Sequence, residues 1–165
     1  MILEGFRTRM SDHRFMQRAL ALAEEKMNDN NGGPFGAVIV RNGEIISEGW
    51  NQVTSQNDPT GHAEVTAIRR ACEKVGSFNL PDCDIYTSCE PCPMCLGAIY
   101  WARLRHIYYA NTRKDAAVIG FDDEFIYREI GINPAARSIP ATQLTPPGAE
   151  KPFALWAAKP DKIRY

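Results

Sequence analysis

Two short motifs set the strongest constraint on what this chain can fold into. His62-Ala63-Glu64 carries an imidazole and a carboxylate two positions apart, and Cys92-Pro93-Met94-Cys95 carries two thiols three positions apart. One nitrogen and two sulfurs are three ligands for a tetrahedral zinc ion, and a catalytic zinc site leaves the fourth position to water or substrate. The fold must therefore bring two distant segments together at one ion.

The spacing within each motif predicts that it lies at the start of a helix. His62 and Glu64 could not both face one ion from mid-helix, because residues two apart point about 200° apart. Gly61 precedes the first motif and an apolar helical pattern follows it, which places the motif at the first turn. Cys92 and Cys95 share a helix face, and a helix N-terminus favours thiolate.

Glu64 separates a catalytic site from a structural one. Two thiolates and a neutral imidazole cancel the charge of zinc, so the centre is a weaker Lewis acid than one with three imidazoles and needs a nearby base. A carboxylate beside the ion can take the proton of bound water and pass it to a leaving amine. A purely structural site has no use for this residue.

The other cysteines leave alternatives open. A lone Cys-x-x-Cys is also typical of a redox pair or of half a zinc knuckle, although a second pair is missing. Cys89 could close the zinc site as a fourth ligand, but a packed thiol at a strand end is favoured. Cys72 and Cys83 are interpreted as structural. Five cysteines without a disulfide framework indicate a reduced compartment.

Composition and length indicate one core domain and a cytoplasmic protein. The 19 basic and 20 acidic residues give a net charge of -1, without the basic stripe of a nucleic-acid binder. The sequence contains no run of eighteen apolar residues, so it predicts no membrane span. Residues 1–10 contain no apolar core of a signal peptide. We expect residues 1–138 to form the core, with residues 1–10 as a disordered extension.

Hydrophobic periodicity predicts helices and strands in alternation after an initial hairpin. Such an order is typical of an α/β protein with a mixed sheet covered by helices. Predicted strands cover residues 36–40, 44–49, 84–88 and 106–110, and predicted helices cover residues 12–29, 62–75 and 92–101. Residues 139–152 contain four prolines and are expected to form an extended connector, with a short helix at residues 153–158.

The runs Asp58–Glu64 and Cys89–Cys95 resemble the cytidine deaminase superfamily, whose zinc nucleobase deaminases carry H-x-E followed by P-C-x-x-C. The stretches Gly32–Val38, Gly97–Arg103 and Gly120–Asp123 extend the resemblance to the small zinc-dependent guanine deaminases of bacteria. Gly61 departs from the more usual Ala.

The resemblance implies a three-layer α/β/α sandwich around a five-stranded mixed sheet, and hydrolysis of guanine to xanthine and ammonia. It implies one Zn2+ per chain on His62, Cys92 and Cys95, with Glu64 as the proton shuttle. It also implies a homodimer in which residues 139–165 cross to the partner and close the active site. The implied substrate-binding residues are Phe35, Asn51, Ala63, Asp123 and Tyr165.

Other functions stay open at this point. A tRNA adenosine deaminase shares the zinc signature and the Asn57–Thr60 stretch, but it would need a basic surface for its RNA. Cytosine or a triazine are further possible substrates. A zinc-stabilised binding module without catalysis is the non-enzyme alternative, and Glu64 argues against it.

Overall fold

The computed structural model describes the backbone of residues 2–164 and the side chains of residues 13–164. The predicted disorder of residues 1–10 concerns residues outside those described in full, and it stays a prediction. Between the first helix and the last strand, the elements lie where the periodicity predicts them, except for a short helix at residues 53–56 that the sequence did not predict. In chain order the elements are α1 Ile2–Asn28, β1 Gly36–Arg41, β2 Glu44–Trp50, α2 Val53–Gln56, α3 Ala63–Val75, β3 Cys83–Cys89, α4 Pro93–Trp101, β4 His106–Asn111, α5 Arg113–Val118, α6 Glu124–Gly131, a 3-10 turn Pro134–Ala136, and α7 Lys151–Ala158.

The sheet is mixed, as predicted, and its strands have the order β2-β1-β3-β4. β1 pairs antiparallel with both β2 and β3, whereas β3 pairs parallel with β4. Asn42 and Gly43 join β1 to β2 with φ angles of 52° and 78°. Positive φ at both positions is what a two-residue hairpin turn requires, and Asn-Gly is the pair that favours it.

The expectation of a fifth strand is wrong for the residues described here, which form four strands. Beyond β4, the chain from Arg113 to Ala158 forms helices and segments without regular structure. Residues 139–152 could not supply an interior strand, because proline has no N–H to donate to a ladder. The fifth strand was implied by the family resemblance and had no support in the periodicity.

Two apolar clusters cover opposite faces of the sheet and confirm the three layers. On one face Phe15 and Leu22 of α1 pack with Val38 and Tyr86. The other face carries α3 and α4. There Ala63, Ala67 and Ile99 pack with the strand residues Ala37, Ile39 and Ile85. These strand residues alternate along the chain with Val38 and Tyr86 of the first cluster. This alternation follows from the two-residue period of a strand.

The described chain divides into two compact units, residues 1–124 and residues 125–165. The first unit contains the sheet, α1 to α5 and both motifs. In the second unit, Glu129 accepts hydrogen bonds from the backbone N–H and the hydroxyl of Ser138, at 2.7 and 2.8 Å. The predicted boundary at residue 138 stays a prediction.

Among the described residues, no helix has both the length and the apolar composition needed to cross a bilayer.

Gly49 lets α3, the helix that follows the first motif, lie directly on β2. A Cβ atom at this position would come within 2.2 Å of the Ala63 carbonyl oxygen and 2.5 Å of the Ala67 nitrogen. These atoms belong to the backbone of α3 and cannot rotate away. Gly97, in α4, offers a contrast, because a Cβ there meets nothing within 4 Å.

We therefore predict that Gly49→Ala lowers the free energy of unfolding by roughly 1–3 kcal/mol, the usual cost of overpacking. Gly97→Ala is the matched control and should raise it by about 0.5–1 kcal/mol, because alanine is the better helix former. Urea unfolding followed by tryptophan fluorescence measures both. A Gly49→Ala midpoint equal to that of the wild type would contradict the close approach of β2 and α3.

Candidate metal centre and active site

The first motif lies at the N-terminus of α3, as predicted. His62 is the N-cap residue, with extended backbone angles (φ -72°, ψ 156°), and its carbonyl accepts the N–H of Thr66 at 2.9 Å. Because the cap residue is not helical, the rotation of 100° per residue that holds within a helix does not apply to it. Its side chain is therefore not turned away from that of Glu64. Imidazole and carboxylate can therefore face the same space.

The second motif repeats this arrangement at the N-terminus of α4. Cys92 is the N-cap residue (φ -66°, ψ 167°), and Pro93 occupies the first turn. Proline costs nothing there, since the first N–H groups of a helix lack intrahelical partners. Cys95 follows one turn later and is fully buried.

The three predicted metal ligands converge. Each cysteine Sγ lies 3.5 Å from His62 Nδ1, and the three ligand atoms lie within 4.8 Å of one another. Zinc bonds of about 2.3 Å to sulfur and about 2.0–2.1 Å to nitrogen, at tetrahedral angles, place N and S about 3.5 Å apart. The spacing and chemistry of this donor set therefore fit one zinc ion.

The two thiols of this centre differ in proton affinity. The side-chain interaction with Cys95, aided by a hydrogen bond from His62, lowers the pKa of Cys92 to about 4. The pKa of Cys95 is raised by its interaction with Cys92 and by burial, and the bond to Cys92 raises the pKa of His62. Cys92 is thus a thiolate at neutral pH, and a divalent cation beside the pair favours loss of the second proton.

Glu64 lies directly beside the ligands. Its side chain is buried, and burial raises the pKa of the carboxyl group. Oε1 accepts a hydrogen bond from the Thr87 hydroxyl at 3.2 Å, and Oε2 accepts one from Cys95 Sγ at 3.4 Å. A carboxyl group whose pKa is raised from its usual range can both accept and return a proton near neutral pH.

Asn51 and Phe35 form a second group, tied to the first by the backbone. Asn51 Oδ1 accepts the N–H groups of Gly33 and Val53 at 3.2 and 3.3 Å, and the Asn51 N–H donates to the Phe35 carbonyl at 3.0 Å. The N–H of the next residue, Gln52, donates to the carbonyl of Gly61 at 2.7 Å. The Gly33–Phe35 turn is therefore held beside the segment that leads into His62.

Asp123 lies within electrostatic reach of the centre, because its charge contributes to the raised pKa of His62. Burial raises the pKa of Asp123 itself, and its buried Oδ1 has no hydrogen-bond partner among the described residues. The loop that carries Asp123 is positioned by Phe121. The Phe121 ring packs edge to face on the Phe35 ring, with the two ring centroids 4.9 Å apart.

The remaining predicted substrate-binding residues have different outcomes. Ala63 is the first residue of α3 and is fully buried. Tyr165 lies outside the described residues, so its predicted role stays a prediction. Sequence reasoning missed Thr87, Ser88 and Phe121. The signal for the first two was a pair of adjacent polar residues within a strand, just before the cysteine motif.

Cys89 is a packed thiol at the end of β3, as favoured from the sequence. It is buried, its Sγ donates to the Thr112 carbonyl at 3.5 Å, and burial raises its pKa to about 11. Among the described residues, the group whose ligand atoms cluster within 4.8 Å consists of His62, Cys92 and Cys95, and Cys89 is outside it. This arrangement favours the open site.

Comparison with known proteins agrees with this geometry. Residues 9–111 match the family described as the cytidine and deoxycytidylate deaminase zinc-binding region. This span includes both motifs and strands β1 to β4. The chain therefore belongs to the cytidine and deoxycytidylate deaminase family, and the predicted enzyme class, a zinc-dependent deaminase, is confirmed.

Within that family the chain is similar to guanine deaminase over nearly its whole length. It is 54% identical over 156 residues to the guanine deaminase of Bacillus subtilis (strain 168), covering 94% of this chain and 100% of that protein. The X-ray structure of guanine deaminase from Bacillus subtilis matches with a TM-score of 0.91 at 55% identity, covering 93% of this chain and 98% of that one.

The similarity to RNA-editing relatives is shorter. The tRNA-specific adenosine deaminase of Agrobacterium fabrum (strain C58) is 43% identical over 105 residues, which covers 63% of this chain and 68% of that protein. The similarity to the B. subtilis guanine deaminase is thus both stronger and longer.

We predict that Cys92→Ser and Cys95→Ser each lower the zinc content of the purified protein well below one ion per chain, because each removes a thiolate ligand. Cys89→Ser is the matched control: the same substitution in the same segment should keep one zinc per chain. Atomic absorption on dialysed protein measures all three. Loss of zinc from Cys89→Ser alone would instead support the closed site.

Proposed function

We propose that the protein hydrolyses guanine to xanthine and ammonia, in purine salvage or catabolism. The observation that carries this proposal is the 54% identity to a guanine deaminase over 94% of the chain. The convergence of His62, Cys92 and Cys95 beside a buried carboxylate supports it, because hydrolytic deamination needs an activated water and a proton shuttle.

Glu64 is the catalytic residue of the proposal. Zinc, when bound to the three ligands, supplies Lewis-acid activation of water for attack on carbon 2 of guanine. Glu64 accepts one proton of that water and delivers it to the adjacent ring nitrogen. It then carries the second water proton to the exocyclic amine, which leaves as ammonia when the bond from carbon 2 to that nitrogen breaks. Both transfers suit a carboxyl group with a raised pKa.

The residues around the centre suit a flat, polar purine. The Asn51 carboxamide oxygen is occupied by two backbone N–H groups, so its amide group is the part that can donate to a purine acceptor. Phe35 supplies an aromatic wall and Ala63 a small, buried one. The Asp123 oxygen without a partner among the described residues is an acceptor for the N–H groups of guanine.

The C-terminal segment is proposed to be exchanged between two copies of the chain and to close the active site. Residues 140–146 have no regular secondary structure and are exposed, as an extended connector requires. The apolar side chains of Phe153 and Leu155 on α7 are also exposed, which is unusual for a short helix unless another surface covers them. A swapped homodimer supplies that surface.

We place the enzyme in the cytoplasm, as its free cysteines favour.

We predict that the zinc-loaded protein changes the ultraviolet absorbance of guanine, and leaves cytosine, a triazine and adenosine essentially unchanged. If one of these three compounds were turned over faster than guanine, that compound would be the better candidate for the substrate. If none of the four reacts, the zinc-stabilised binding module becomes the better reading.

Glu64→Gln is the control for the same assay, because it keeps the size of the side chain but cannot accept a proton. It should bind zinc normally and lose roughly 100- to 10,000-fold in kcat, as is typical when a general acid/base is removed. A variant that keeps most of its activity would remove Glu64 from the shuttle role.

We predict that deletion of residues 163–165 spares folding, dimerisation and zinc content but sharply lowers guanine turnover. An unclosed pocket admits water and leaves the base loosely oriented. If the lid comes from the partner, mixing Glu64→Gln chains with tail-deleted chains should restore activity, because an intact centre then receives an intact tail. No recovery after verified subunit exchange would contradict a lid supplied by the partner.

A further inference from the structure

Thr87 is a buried polar residue in the middle of an apolar layer. Its side chain is 1% exposed. Ile85 and Thr87 point to the same face of β3, because strand residues alternate, and Ile85 packs in the cluster that contains Ala63 and Ala67 of α3. The Thr87 hydroxyl thus faces the helix that begins with the catalytic motif.

The acceptor of this hydroxyl is the proposed catalytic group. Thr87 Oγ1 donates to Glu64 Oε1 at 3.2 Å, while Cys95 Sγ donates to Glu64 Oε2 at 3.4 Å. Cys95 belongs to the group of three candidate metal ligands, whereas the Thr87 hydroxyl does not. The bond from Thr87 to the carboxylate is therefore independent of the metal site.

We propose that Thr87 is a positioning residue, which fixes the plane of the Glu64 carboxylate so that Oε2 faces the reacting atoms. This inference rests on the proposed shuttle role of Glu64. The last torsion of a glutamate is broad and roughly two-fold, so a buried carboxylate without a fixed donor samples several orientations. One hydrogen bond to Oε1 selects the orientation that leaves Oε2 available.

The donor is itself held rigidly. Thr87 pairs with Ala37 on one side and with Tyr109 on the other, in an interior strand of the sheet. Threonine is β-branched, and its χ1 angle is correspondingly restricted. Glu64 lies in the first turn of α3, so a strand and a helix each fix one partner of the bond.

Thr87→Val tests the role directly, because valine has nearly the same shape and no hydroxyl. We expect kcat for guanine to fall by about 10- to 100-fold, the usual effect of losing a hydrogen bond to a charged group. KM should change by less than about threefold, and the zinc content should stay at one per chain. Thr87→Ser is the matched control and should restore kcat to within about threefold of the wild type, since it restores the hydroxyl.

A double-mutant cycle separates positioning from a merely structural role. In the Glu64→Gln background, Thr87→Val should lower the remaining rate by less than about threefold, because no carboxylate is left to orient. An equal loss in both backgrounds would overturn the proposal. Should Thr87→Val not fold, Thr87→Ala replaces it in the same cycle with the same expected outcomes.

The two proposals fail in different ways. If Glu64→Gln keeps its activity, the shuttle role and the role of Thr87 both fall. If Glu64→Gln is inactive while folded Thr87→Val matches the wild type in kcat, only the positioning role is overturned. Failure of Thr87→Ser to recover activity would likewise show that the loss came from packing and not from the hydroxyl.

Discussion

The meeting of two helix N-termini at one point is the arrangement on which the rest of the structure depends. His62 caps α3, Cys92 caps α4, and their donor atoms lie 3.5 Å apart. Each helix start carries partial positive charge, so the two repel each other unless negative charge lies between them. The Cys92 thiolate supplies that charge. A divalent cation held by His62, Cys92 and Cys95 would in turn balance the thiolates.

Three of the buried polar residues support the segments around this meeting point. Thr87 donates to Glu64, the Ser88 hydroxyl accepts the Gly36 N–H at 3.0 Å, and Asn51 accepts two backbone N–H groups. Thr87 and Ser88 are neighbours in β3, so their side chains point to opposite faces of the sheet. One therefore holds the carboxylate, and the other holds the backbone at the start of β1, directly after Phe35. A single strand end supports both Glu64, the proposed proton-transfer group, and the segment that carries Phe35, the proposed pocket wall.

Much of the core and of the metal centre could be predicted because the responsible signals are local. The Asn42-Gly43 pair, the apolar periodicity of α3 and the spacing of the two motifs fix elements and caps without reference to distant residues. The contact of Thr87 with Glu64 could not be predicted, since it joins residues 23 apart across a strand and a helix. α5 was missed although Thr112 and Asp115 form a capping box at its start. The prediction of a fifth strand was wrong because it came from the family resemblance alone. The prolines after Ile139 are unfavourable for an interior strand.

The hydrogen bonds of Asn51 have a consequence for how such a pocket can change during evolution. Both groups that fix the carboxamide oxygen are main-chain N–H groups, of Gly33 and Val53, and a main-chain N–H can only donate. The direction of the amide is therefore encoded in the path of the backbone, and no substitution of a neighbouring side chain can reverse it. A descendant that needs an acceptor in place of this donor must replace residue 51 or rebuild the turn after α1. The polarity of the proposed pocket wall at Asn51 is therefore inherited with the fold.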